Sequence, residues 1–186
     1  MKKISIAAAL LLPQAALAHV GHHDEGQFLS GLSHPLGGAD HLLAMVALGL
    51  LAAQMGGRAL WALPLTFVGS MVAGGLAGFG GLSFPAVEPM ILASVVILGA
   101  LVAMAARLPL AAMVPGVALF GMAHGWAHGA EGPAAGLAAY AAGFAVATLA
   151  LHGVGIGAAR ILERGTALRA LGGGTAAAGL ALAMVG

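Results

Sequence analysis

No cysteine occurs anywhere in the chain, which excludes disulfides and thiolate metal ligands. Charge is almost as scarce. Asp, Glu, Lys and Arg make up 7% of the residues, where a soluble domain carries about 25%. With 61% of the 186 residues hydrophobic, the composition is that of an all-α, polytopic membrane helical bundle with no room for a second, soluble domain. Lysine occurs only at Lys2 and Lys3. Beyond residue 18 five Arg face six acids, a balance that offers no basic surface to nucleic acid. No GxxxxGK[ST] motif is present, which argues against ATP hydrolysis within this chain. There is no HExxH motif.

What the chain has instead is long uncharged runs. Lys2 and Lys3 precede a short apolar segment, Ile4 to Leu12, and an Ala16-Leu17-Ala18 step, the pattern of a cleaved signal peptide over 1–18. A His-rich periplasmic tail over 19–34 then leads into a transmembrane domain over 35–186. Charges punctuate that domain, leaving uncharged runs at 42–57, 59–87, 89–106, 108–130, 132–159 and 170–186. About 20 apolar residues span a bilayer, so these runs predict six helices near 36–56, 60–79, 86–106, 109–130, 134–158 and 168–185. Arg58, Arg107, Arg160, Arg164 and Arg169 all follow the first, third or fifth helix. The positive-inside rule assigns that side to the cytoplasm and both termini to the outside. Gly121, Gly125 and Gly129 recur every four residues on the fourth predicted helix, and Gly153 and Gly157 do so on the fifth. Small residues at that spacing let helices pack closely in lipid, and a helix packed on the first stripe would lie near the histidines beside it.

Two polar clusters interrupt this apolar background. The stretch Met122-Ala-His-Gly-Trp-Ala-His-Gly-Ala-Glu131 sets His124, His128 and Glu131 at i, i+4 and i+7, one face of a helix. The stretch His34-Pro-Leu-Gly-Gly-Ala-Asp40-His41 opens the first helix, with His34 and His41 seven residues apart and thus on one face. Pro35 suits the first turn, and Gly37-Gly38 leaves it room to be irregular. The arginine-derived orientation puts both clusters at one depth, in the outer half of the membrane. An intramembrane carboxylate such as Asp40 costs a few kcal/mol and defaults to a functional reading. Imidazole with carboxylate suits Ni, Co, Zn, Cu(II) or Fe(II), so the clusters predict one divalent metal site shared between helices. Neutral imidazole is the ligand form, so binding should weaken below about pH 6.5. Four further groups bear on that site. His19, His22 and His23 in the tail could collect cations, set against a plain signal junction. Glu88 starts the third helix, where an acid complements the helix dipole. His152 lies deep in the fifth helix, as an inner ligand, a proton carrier or a histidine bonded to a carbonyl. Met45, one turn below His41, suits core packing better than thioether ligation.

These motifs resemble the HupE/UreJ family of nickel and cobalt permeases. The HPxxGxDH signature stands at His34 to His41, and an FHGxAHGxE-like signature at 122–131, with Ala123 where an aromatic is expected. The resemblance covers the whole chain. It implies passage of Ni²⁺ or Co²⁺ through the inner membrane of a bacterium, with His34, Asp40, His41, His124, His128 and Glu131 handling the metal. No prosthetic group is expected, the partners being the ion and the lipid bilayer. Two other uses of the same histidines remain open from the residues alone: a membrane metalloenzyme with a metal-bound water, and a haem b electron carrier with axial histidines.

Overall fold

In the computed structural model, residues 26–163 and 165–185 are described. The expected signal over 1–18, His19, His22, His23 and Arg164 lie outside the described residues. Those residues form seven α-helices and no strand: α1 (Gln27–Ser33), α2 (Ala39–Met55), α3 (Ala59–Phe79), α4 (Val87–Ala103), α5 (Leu110–Ala130), α6 (Leu137–Ile161) and α7 (Thr166–Val185). The last six match the six predicted helices to within a few residues. Four of them, α3, α5, α6 and α7, are long and apolar enough to cross a membrane. The polarity of the bundle fits that solvent. Leu65, Val72, Leu76, Val146 and Val154 point outward, while Gln54, Ser94, His124, Thr148 and His152 are buried.

The beginning of the domain departs from the expectation. The first helix, predicted from residue 36, starts at Ala39. Residues 27–33, assigned by the sequence to the tail, form α1. A 3-10 turn, His34–Leu36, links the two, and the helix axes on either side of the break differ by 82°. The cause is local. Pro35 sits at the start of the turn, and Gly38 is extended (φ −110°, ψ 123°) as it caps α2. His34 and His41 therefore do not share a face of one helix; they stand on two pieces of chain. The short α1 is held against α6, where Gly31 lies on the Tyr140 carbonyl and Gly143 on the Phe28 carbonyl, with no space for a Cβ at either.

Glycine sets which helices approach. On α5, Gly121, Gly125 and Gly129 rest on the backbone of Phe67, Met71 and Gly75 of α3, and Gly74 and Gly78 of α3 rest on Met122 and Trp126 of α5. The α5 stripe thus packs as its spacing predicted, and the partner helix does lie beside the histidines. Gly153 and Gly157 of α6 do not pack: nothing stands near either. The close glycine is Gly155, which meets Val46 and Gly49 of α2. A residue two positions away points about 200° around the helix, so the 153/157 pair faces the opposite side. At the far end of the bundle the Arg169 side chain donates to the carbonyl of Ala103 at 2.8 Å, closing the last turn of α4 with a cation, as helix C-termini favour.

Candidate metal-handling site

The break before α2, the C-terminal half of α5 and the middle of α6 bring the histidines into one row. His34 meets His128 with ring centroids 4.7 Å apart, His128 meets His41 at 4.4 Å, and His41 meets His124 at 4.5 Å. All three contacts are edge-to-face. Exposure falls along the row: His34 is exposed and His128 partly so, whereas His41 is 8% and His124 0% exposed. The outer end opens into a cavity lined by Ser33, His34, Gly37, Gly38, Asp40, His41 and His128. The row runs from a mouth into the packed interior.

Two side chains fix rings within it. One oxygen of Asp40 accepts a hydrogen bond from the backbone N–H of His41 at 2.8 Å and contacts the ring Nδ1 of the same residue at 2.9 Å. A carboxylate can only accept, so His41 carries its proton on Nδ1 and turns Nε2 inward. Asp40 thereby stands behind His41, as carboxylates commonly stand behind metal-binding imidazoles. On the inner side, the hydroxyl of Ser94 in α4 lies 3.0 Å from Nε2 of His124.

The ring nitrogens facing the interior are otherwise unserved. Nε2 of His41, Nδ1 of His124, both nitrogens of His128 and both of His152 are buried without a hydrogen-bond partner. Buried polar atoms are ordinarily paired, because an unpaired one costs about 1–3 kcal/mol, so six such atoms in one region point to a ligand. The donors are imidazoles, which take borderline divalent cations such as Ni²⁺, Co²⁺, Zn²⁺ and Cu²⁺. Among the described residues, no three His, Asp or Glu side chains are arranged to close together on one ion; the rings meet edges to faces, offering nitrogens in succession.

The remaining expected residues fall around this row. Glu131 caps the C-terminus of α5 and is exposed, beside the mouth rather than in the row. Glu88 is exposed in the first turn of α4, where it complements the helix dipole. Met45 is fully buried core. His152 is 1% exposed and is joined to the row through Phe67, whose ring is 5.3 Å from that of His124 and 5.4 Å from that of His152. It bonds to no carbonyl, having no partner at either nitrogen. Phe67, Ser94, Tyr140 and Phe144 are additions that the motifs did not reveal. Phe144 packs on His128 at 4.4 Å, and Tyr140 on His34 at 5.7 Å, so α6 supplies an aromatic wall to the mouth. The available signal was the isolated hydroxyl or aromatic in an apolar run, which marks a residue without saying what it faces.

The family described as HupE / UreJ protein matches residues 7–182 of the chain. A relative named Protein HupE, from Rhizobium leguminosarum bv. viciae, is 47% identical over 179 residues, covering 94% of this chain and 93% of its own length. No solved structure matches.

Proposed function

Because the chain belongs to the HupE/UreJ family of transporters, we propose that it carries Ni²⁺ or Co²⁺ inward across the inner membrane. It is a transporter and not an enzyme, so the metalloenzyme alternative falls away. In this reading α2 to α7 are six spans following a cleaved leader, with both termini in the periplasm and the arginines in the cytoplasm. Helices α2 and α4, at 17 residues each, would extend about 26 Å, short of the hydrocarbon core by an amount that local thinning accommodates.

The observation that carries the proposal is the row of touching imidazoles, with its buried nitrogens unpaired and its burial rising from mouth to interior. A partly dehydrated cation would enter past Glu131 and the His34 ring. It would pass between His128 and His41, and sink to His124. His152 would take it up next. Asp40 offsets the cation's charge and so lowers its desolvation cost. Conduction needs sites that release what they bind, and single imidazoles met in sequence, with water completing the coordination, do so more readily than a closed cage. The inner end is shut in this arrangement. Gly49 and Gly155 seal α2 against α6, ahead of a cavity lined by Gly56, Leu60, Ala159, Arg160 and Glu163 at the arginine end.

The test is nickel and cobalt uptake by cells producing His41→Ala or His128→Ala, with the amount of protein in the membrane measured in parallel. Loss of uptake in both is expected. Uptake at the unmutated level in both rejects the site.

A further inference from the structure

Ser94 sits mid-way along α4 with no exposure to solvent, in the apolar sequence Ile91-Leu-Ala-Ser-Val-Val. Its hydroxyl oxygen has two neighbours. One is the carbonyl of Ile91, a turn earlier on the same helix, at 2.6 Å. The other is Nε2 of His124 on α5, at 3.0 Å. Serine has one hydroxyl hydrogen, and an approach of 2.6 Å between its oxygen and a carbonyl oxygen, which can only accept, is held with that hydrogen between them, so the hydrogen goes to Ile91. The contact with His124 then has only one possible direction: the ring donates its Nε2–H to the serine oxygen.

A neutral imidazole has one N–H. With Nε2 protonated, Nδ1 of His124 is the nitrogen with the free lone pair, and it is the one that is buried without a partner. A doubly protonated ring would add an unpaired buried N–H donor and a buried charge in a fully enclosed position, both costly. The opposite tautomer would leave Nε2 and the serine oxygen facing each other as two acceptors.

We propose that Ser94 is a positioning residue of the permeation route: it locks His124 in the Nε2–H tautomer, so that His124 offers Nδ1 to the passing divalent cation. Asp40 does the converse for His41, holding Nδ1–H and leaving Nε2 free. The two touching rings are thus set in opposite tautomers by two side chains from different helices. Each has one nitrogen anchored and the other open. The permeation role and the cation rest on the transport reading; the tautomer stands on hydrogen-bond directions alone.

The test reads the tautomer and the transport separately. In purified, unmutated protein with nitrogen-labelled histidine, two-bond proton–nitrogen correlation distinguishes the two forms of each ring, and His124→Gln identifies the His124 signals by their loss. The Nε2–H pattern is expected for His124, giving way in Ser94→Ala to a mixture of both forms. Ser94→Ala should raise the half-saturating Ni²⁺ concentration for uptake by about tenfold, the lower end of the effect of losing a partner behind a metal-binding imidazole. Ser94→Thr, which keeps the hydroxyl, should restore both the pattern and the uptake. An Nδ1–H pattern for His124 in the unmutated protein overturns the proposal, as does a Ser94→Ala variant with unchanged spectrum and uptake. Should Ser94→Ala fail to reach the membrane, the unmutated spectrum and Ser94→Thr decide by themselves. A correct tautomer together with normal uptake in His41→Ala and His128→Ala would sink the transport reading and leave the tautomer assignment intact.

Discussion

Replacing Asp40 by Asn and by Ala separates two ways in which a carboxylate can serve this site. One Asp40 oxygen accepts from the His41 ring at 2.9 Å and from the His41 backbone at 2.8 Å. Hydrogen bonds to a charged group contribute about 1.5–3 kcal/mol and neutral ones about 0.5–1.5 kcal/mol. Asn keeps an oxygen in place but loses the charge, so the hold on the ring weakens by about 1 kcal/mol. That is about fivefold in the affinity of His41 for a cation. Ala removes the ring's partner entirely, at about 2 kcal/mol, or about 30-fold, inside the range of about 10–100-fold found for residues behind metal-binding histidines. The assay is the initial rate of radioactive nickel uptake across a range of nickel concentrations, normalised to protein in the membrane. The half-saturating concentration should rise in the order unmutated, Asn, Ala. Equal and complete loss in Asn and Ala would refute the reasoning, because it would make the carboxylate itself the ligand. A normal Ala variant would refute it from the other side.

Three further outcomes follow from the packing and the chemistry of the rings. Gly125→Val should cost about 1–3 kcal/mol through overpacking, because the new side chain runs into the backbone of Met71; a lowered midpoint of thermal unfolding in detergent would show it, and an unchanged midpoint would contradict the packing. Trp126→Phe removes the indole N–H that donates to the Leu82 carbonyl at 2.6 Å, so hydrogen exchange in the loop between α3 and α4 should quicken, for a loss of about 1 kcal/mol. Nickel binding by the purified protein should fall as pH is lowered, with its midpoint below the ordinary imidazole value of about 6.5, because partial burial first and the neighbouring His41 second push the His34 ring down. Protonation occupies the lone pairs that bind metal, and a midpoint above the ordinary imidazole value would contradict binding by buried rings.

The helices were legible because arginines and acids punctuate the apolar runs: the fourth run predicted 109–130, and α5 is Leu110–Ala130. The paired clusters were legible for a related reason, since polar side chains stand out where nothing else is polar. Helix α1 was not legible. Its seven residues, with one Gln and two Ser, carry too weak a pattern to separate from a tail, and its stability comes from α6 rather than from itself. Gly155 was passed over for Gly153 and Gly157 because spacing identifies a stripe but not the direction in which it faces. Ser94 and Phe67 were invisible for the same reason on a larger scale. Each is an unremarkable residue of its own helix, and only the packing of α4 and α3 against α5 puts a hydroxyl and a ring on His124.

On an unbroken helix, His34 and His41 would lie about 10.5 Å apart along the axis, two rungs of a ladder. The 82° bend between them turns those rungs into a pincer. Its jaws belong to different pieces of chain, one borne by the 3-10 turn after α1 and one by α2, and both touch the same imidazole, His128. The joint is Gly37-Gly38. Glycine contacts clamp both jaws on α6, α1 through Gly31 and Gly143 and α2 through Gly49 and Gly155, so the width of the mouth is set by a helix to which neither jaw belongs.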